Sequence, residues 1–386
     1  MIDPKKEIKK FGVTAVVFAI PIVLFFAFST FFLVGSGELK SLDELVTIQQ
    51  NSKSSIIGLA YSNPLRYIKL QSVLKRKPTI IVMGSSQTSY FRSALFNSPD
   101  VFYNASIGGS FPQDFNIFLS RIPVKDQPKI IIAGFGSSYF DSICDGQDFG
   151  VLYDQYTESF NSSNPSLAWR FGYIQVWKDY FAGKFKLSDW KKLFSSSNFG
   201  MNGVIKDSGY RWDGTSIDTR SISKRLTEGE ENFQKNSLAV YFGPERSKPC
   251  DQKFNRSVNE IKKFLSQSKS RGIHVIGYLT PHAHVVYERM KHEKSYDYVF
   301  KMFSTLEPMF REYGFKLYDF SDIAFAGASD LSMIDQGHSS ENASLKMLLV
   351  MLSREPALKP YVDRSYLTKR LKTAPNDLFV FGMEEY

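Results

Sequence analysis

From Phe11 to Val34 the chain carries no charged residue. A run of about 24 residues spans ~36 Å as a helix, enough to cross the hydrocarbon core of a bilayer. This segment is expected to be a transmembrane helix, with Pro21 tolerated inside it. Lys5, Lys6, Lys9 and Lys10 precede the run, and Glu38, Asp43 and Glu44 follow it. The positive-inside tendency therefore places residues 1–10 in the cytoplasm and everything after Ser36 outside, in the periplasm or its equivalent. A cleaved signal peptide is the competing reading. Its apolar region is usually about 7–15 residues and ends in small residues, whereas this run is longer and ends Phe-Phe-Leu-Val-Gly-Ser-Gly.

The chain has 386 residues, long enough for one large or two modest domains, with the composition of a globular protein. Its net charge of +9 is spread, with lysines at the N-terminal tip and again over 359–372. No stripe of Lys and Arg interleaved with aromatics suits nucleic acid, so no nucleic-acid partner is expected. Cys144 and Cys250 fall in the segment expected to be exported. They could form one disulfide, and neither has metal-site spacing.

Residues 35–77 read as a polar, partly helical stalk. Thr79–Met83 is a short apolar run of the kind that forms a strand buried on both faces of a parallel sheet, and a helix is expected after the Gly84-Ser85-Ser86 turn. Val101–Asn104 and Lys129–Ala133 read as second and third strands. Val258–Ser270 and Ser295–Tyr313 read as helices closed by Gly272 and Gly314. The strands His274–Leu279 and Lys316–Asp319 follow them. A last helix is expected around Met347–Leu352, and residues 353–386 form a tail without assignment. The alternation implies an α/β class with a mostly parallel sheet and a site at the carboxyl ends of its strands. Between about 141 and 249 the alternation fails, and an insertion over the upper edge of the sheet is expected. Its Trp169, Tyr173, Trp177 and Tyr180 recur at helical spacing, the mark of a packed helix face. Sugar stacking is the alternative for these aromatics.

Gly84-Ser85-Ser86 and Asp335-Gln336-Gly337-His338 carry the chemistry. A serine hydroxyl needs an imidazole to take its proton, and that imidazole needs a carboxylate to orient it. Ser86, His338 and Asp335 fit these three roles, and a turn serine capping the next helix is the plainer alternative for Ser86. Pro281-His282-Ala283-His284 follows a strand and also lies at the expected site edge. No carboxylate or cysteine cluster accompanies His282 and His284, so neither a metal nor any cofactor is expected. The two histidines remain ordinary loop residues or candidate substrate contacts.

In these motifs the chain resembles the SGNH (GDSL-like) hydrolase superfamily over about residues 78–140 and 255–352. The resemblance implies a flavodoxin-like, three-layer α/β/α sandwich, here residues 78–352, behind one N-terminal transmembrane helix. It implies Ser86 as nucleophile, with Ser85 in the place of the family's Asp and a candidate substrate contact, and Asp335 and His338 as partners. The family's Asn-x-x-x-x-Gly block maps to Asn104 through Gly109, so the backbone amides of Ser86 and Gly109 would serve the oxyanion. Where the family has Gly-x-Asn-Asp, this chain has Gly134-Phe135-Gly136-Ser137, and the oxyanion asparagine is missing. Membrane-anchored envelope proteins of the superfamily, acting in alginate or peptidoglycan O-acetylation or teichoic acid D-alanylation, share the single span, the Gly-Ser-Ser turn and the late Asp-x-x-His. The expectation is an anchored serine O-acyltransferase acting on a cell-envelope glycan beside a membrane-bound O-acyltransferase (MBOAT). An esterase with the same triad and a noncatalytic accessory protein of polysaccharide biosynthesis or export are the alternatives.

Overall fold

Five short apolar runs pair into one parallel sheet: β1 (Ile80–Met83), β2 (Phe102–Asn104), β3 (Ile130–Phe135), β4 (His274–Leu279) and β5 (Lys316–Asp319). The order across the sheet is β2-β1-β3-β4-β5, with Ile80 level with Phe102 and Ile130, and Ile130 level with His274. The computed structural model behind this description covers residues 4–62, 64–106, 111–140, 165–243 and 251–381, the side chains of 165–170 and 251–252 aside.

Parallel strands need both faces covered, and the alternation of side chains along β1 shows how this is met. Ile81 and Met83 enter one apolar cluster with α3 (Leu65–Arg76), α4 (Gln113–Ser120), α6 (Asp251–Ser270) and α8 (Asp297–Glu312). Ile80 and Val82 enter the opposite cluster with α9 (Glu341–Arg354) and α10 (Arg364–Lys372). The result is an α/β domain of three layers. Because every strand runs the same way, the loops after β1, β3 and β4 and the chain beyond β5 emerge at one edge.

Three segments differ from the sequence expectations. No α-helix follows Gly84-Ser85-Ser86. Residues 86–101 instead make 3₁₀ turns at Ser86–Thr88, Ser93–Leu95 and Pro99–Val101. Short hydroxyl side chains bind nearby backbone in competition with a helix, as the Thr88 hydroxyl does in donating to the Ser85 carbonyl at 2.9 Å. Residues 35–77 are docked rather than free: they contain α2 (Leu42–Asn51) and α3, whose Leu70 and Val73 are buried against the sheet. Residues 353–381, left without assignment by the sequence, complete the second layer, with Leu358, Val362, Leu367, Val380 and Phe381 buried there.

The N-terminal helix α1 (Pro4–Gly35) is long and apolar enough to cross a membrane. Its last turns pack against α5 (Pro165–Phe181). The Trp177 ring lies 4.3 Å from that of Phe28 and stacks on Phe25 at 5.9 Å, and its indole N–H donates to the Phe25 carbonyl at 3.2 Å. Tyr173 pairs its hydroxyl with Thr30 at 2.9 Å. The aromatic stripe is therefore a packed face, but its partner is α1 and not the sheet edge. Periodicity shows that a helix has an apolar side without saying what covers it.

Candidate active site

The turn that presents Ser86 follows from steric limits at Gly84. Its φ is +154°, and a Cβ there would lie 2.4 Å from Thr88 Cγ2, so only glycine lets β1 turn this tightly. Ser85 is buried and caps the 3₁₀ turn, its hydroxyl accepting from the Gln87 N–H at 3.4 Å. Ser86, the first residue of that turn, is exposed. No described acceptor takes its backbone N–H, the usual condition of the first amide of a helical turn. Asn104 fixes the turn from below. Its side-chain NH₂ donates to the carbonyls of Thr88 and Phe91, both at 3.0 Å, and its oxygen accepts from the Ser106 N–H.

Asp335 shapes its own loop. One carboxylate oxygen accepts from the backbone N–H of Gly337 at 2.9 Å and of His338 at 2.8 Å. The Ile334 N–H donates to the His338 carbonyl, closing the turn just before Ser340 caps α9. His338 Nδ1 lies 2.8 Å from the second Asp335 oxygen, and its Nε2 lies 2.9 Å from Ser86 Oγ. A nitrogen facing a carboxylate carries the proton, so Nε2 is the free base that accepts from the Ser86 hydroxyl. Burial works against the charged imidazolium, but the hydrogen bond and charge of Asp335 outweigh it, and the His338 pKa is raised from 6.5. Burial likewise pushes the Asp335 carboxyl up, and its bonds to His338 and to the two backbone amides more than reverse this, leaving its pKa below 3.8. Ser86, His338 and Asp335 thus stand in line at the carboxyl edge of the sheet, and the turn-serine alternative does not account for the imidazole at hydrogen-bond distance.

Gln87 was not singled out by the sequence. Its amide N–H donates to the Gly337 carbonyl at 3.0 Å, tying the residue after Ser86 to the residue before His338. Its oxygen accepts from the Thr280 hydroxyl at 2.9 Å. A Cβ on Gly136 would lie 2.2 Å from that oxygen. Gln87 therefore occupies the space beside Gly136, and a side chain at 136 would have to displace its amide end. Adjacency to Ser86 was the available signal, and a glutamine in a Ser-rich run does not announce what it reaches.

The histidine pair divides. His282 is buried: Nδ1 donates to the Ser321 carbonyl at 3.2 Å, so Nε2 accepts from Ser137 at 2.9 Å and Tyr241 at 3.2 Å. It joins the ends of β3, β4 and β5. His284 is half exposed and bonds to Asp322 at 2.9 Å, a bond that raises its pKa. These bonds join the two histidines to Ser137, Tyr241, Ser321 and Asp322, and His284 opens the short helix α7 (His284–Met290). Ligand atoms of His284, Glu288 and Asp322 lie within 4.8 Å of one another, but His284 is already held by Asp322, and Glu288 is paired with Lys291 at 2.5 Å. Gly109, Cys144 and Cys250 lie outside the described residues. Comparison with protein-family models and with curated proteins finds no match.

Proposed function

We propose that this chain is a membrane-anchored serine acyl-enzyme of the SGNH type, an O-acyltransferase that moves an acyl group, acetyl by preference, onto a hydroxyl of an extracytoplasmic envelope glycan. The observation that carries this reading is the continuous Ser86–His338–Asp335 relay. The strand order 2-1-3-4-5 is that of flavodoxin-like sheets and supports the superfamily assignment. The packing of Ser29, Phe32 and Leu33 into the body of the protein supports a retained anchor over a cleaved leader.

In this mechanism Ser86 Oγ attacks the donor's acyl carbon as its proton passes to His338 Nε2, and Asp335 stabilises the imidazolium. The oxyanion meets the unpaired N–H of Ser86, with the Gly109 amide as the second donor. Collapse breaks the bond to the leaving group, which takes the proton from His338. An acceptor hydroxyl then attacks the acyl-serine as His338 takes its proton, and collapse releases the ester and returns that proton to Ser86. The exposure of Ser86 favours an esterase as the second reading, since water reaches the same acyl-serine. An MBOAT-type protein is the proposed source of the acyl group.

A fluorophosphonate reagent tests the chemistry. The expected result is an adduct on Ser86, found by peptide mass spectrometry and lost in Ser86→Ala and His338→Ala. A folded protein that takes no label would favour the accessory-protein reading. Given a labelled serine, acyl transfer to glycan as against release of free acid separates transferase from esterase.

A further inference from the structure

The side of α5 that packs on α1 is accounted for, and its other side is not. Phe171, Ile174 and Phe181 are exposed at 65%, 53% and 77%, on a helix that the body of the protein does not cover. Beyond the helix Leu187, Trp190 and Phe194 are exposed as well, with the Phe194 ring 6.1 Å from both Trp190 and Phe31 of α1. This surface is thus continuous with the exposed side of α1 at Phe26, Phe31 and Val34.

Depth follows from contact. The partners of α5 on α1 are Phe25 to Leu33, the end of the apolar run nearest the domain. At 1.5 Å per residue these positions occupy roughly the outer 12 Å of the span. A helix packed beside them stands at the level of the outer headgroup and acyl boundary. Its exposed cations suit that level: Lys178 projects from among the rings and Lys191 flanks Trp190, while Lys184 and Lys192 pair with Asp179 and Asp189. Long cationic side chains reach back to headgroups while their neighbours enter the apolar layer, and tryptophan prefers the same zone.

We propose that α5 and the chain to Phe194 form a second, monotopic membrane contact that takes an anionic phospholipid surface, with the six apolar side chains in the acyl boundary and the lysines on the headgroups. A groove for a membrane protein would call for an apolar face without interleaved cations. The contact holds the catalytic domain at a fixed tilt against the bilayer, which a single span alone does not do. It rests on the reading of α1 as a retained anchor.

The test uses the full chain with Cys144 and Cys250 replaced by serine, reconstituted in phosphatidylcholine–phosphatidylglycerol liposomes containing spin-labelled lipid. Single cysteines carrying an environment-sensitive fluorophore replace Phe181 and Phe194, with Lys301 on α8 as the aqueous control and Phe18 as the marker for α1. Circular dichroism confirms that each variant is folded. The expected result is quenching at Phe181 and Phe194 roughly twofold or more above Lys301, and stronger in anionic than in neutral liposomes. Quenching at Phe18 with none at Phe181 or Phe194 would overturn the lipid contact while leaving the anchor standing, and would point to a protein partner for this face. No quenching at Phe18 would remove the anchor, and the lipid contact with it.

Discussion

One oxygen of Asp335 holds two backbone amides and both oxygens face His338 Nδ1, at 2.9 and 2.8 Å, so a single residue sets both the shape of the loop and the tautomer of His338. Asp335→Asn is expected to slow fluorophosphonate labelling of Ser86 by about 10⁴-fold, because the amide favours the wrong tautomer. The pH profile of the residual rate gives a second readout. Only neutral His338 can take the serine proton, so labelling rises with pH through the His338 pKa. Asp335 holds that pKa above 6.5, and the acid limb should move to lower pH in the variant. Gln87→Ala is expected to lower the labelling rate about 10²-fold, the scale of a misplacement of about 1 Å. Its thermal stability should stay within ~3 kcal/mol of the parent, the range for the two hydrogen bonds lost. The grouping of Ser86, Asp335 and His338 was legible because Ser, Asp and His each admit few roles at such turns. Gln87 was not, because its role depends on Gly136 and Gly337, which are distant in sequence.

Strands and helices were legible to within a few residues where one periodicity ruled. The run Ile80–Met83 is apolar on both sides because both sides are covered, and α8 sets Leu306 and Phe310 of its stripe against the sheet while Val299 packs with Val286 and Met290. Legibility ended where pairing decided the outcome. Nothing in Trp177 or Tyr173 names Phe28 or Thr30 as the partner, some 145 residues away. Trp177→Ala removes its ring contacts with Phe25 and Phe28, each of about 0.5–1.5 kcal/mol. Amide exchange across 171–181 is expected to speed up about tenfold as the helix loosens from α1. An unchanged exchange rate there would show that α5 is held by something other than this stripe.

At the scale of the molecule, Glu341 joins parts that the sequence keeps apart. One of its oxygens takes the Arg92 guanidinium at 2.6 Å, and the other accepts the N–H groups of Val380 and Phe381 at 2.8 and 2.7 Å. The Arg92–Glu341 pair is almost wholly buried, and its members stand six residues beyond Ser86 and three beyond His338. Removing Glu341 breaks this buried pair, leaving Arg92 with the more remote charge of Asp213, and takes away the acceptor of the two amides. Glu341→Ala is therefore expected to cost about 3–5 kcal/mol in urea unfolding. Amide exchange at Val380 and Phe381 should rise with it.

The open setting of Ser86 also bears on the shape of what it can meet. A nucleophile at the bottom of a pit selects for molecules with a free terminus narrow enough to be threaded in. Ser86 is exposed among the described residues, and under the proposed function a long strand can lie across it and be addressed at interior units, with neither end needed for entry.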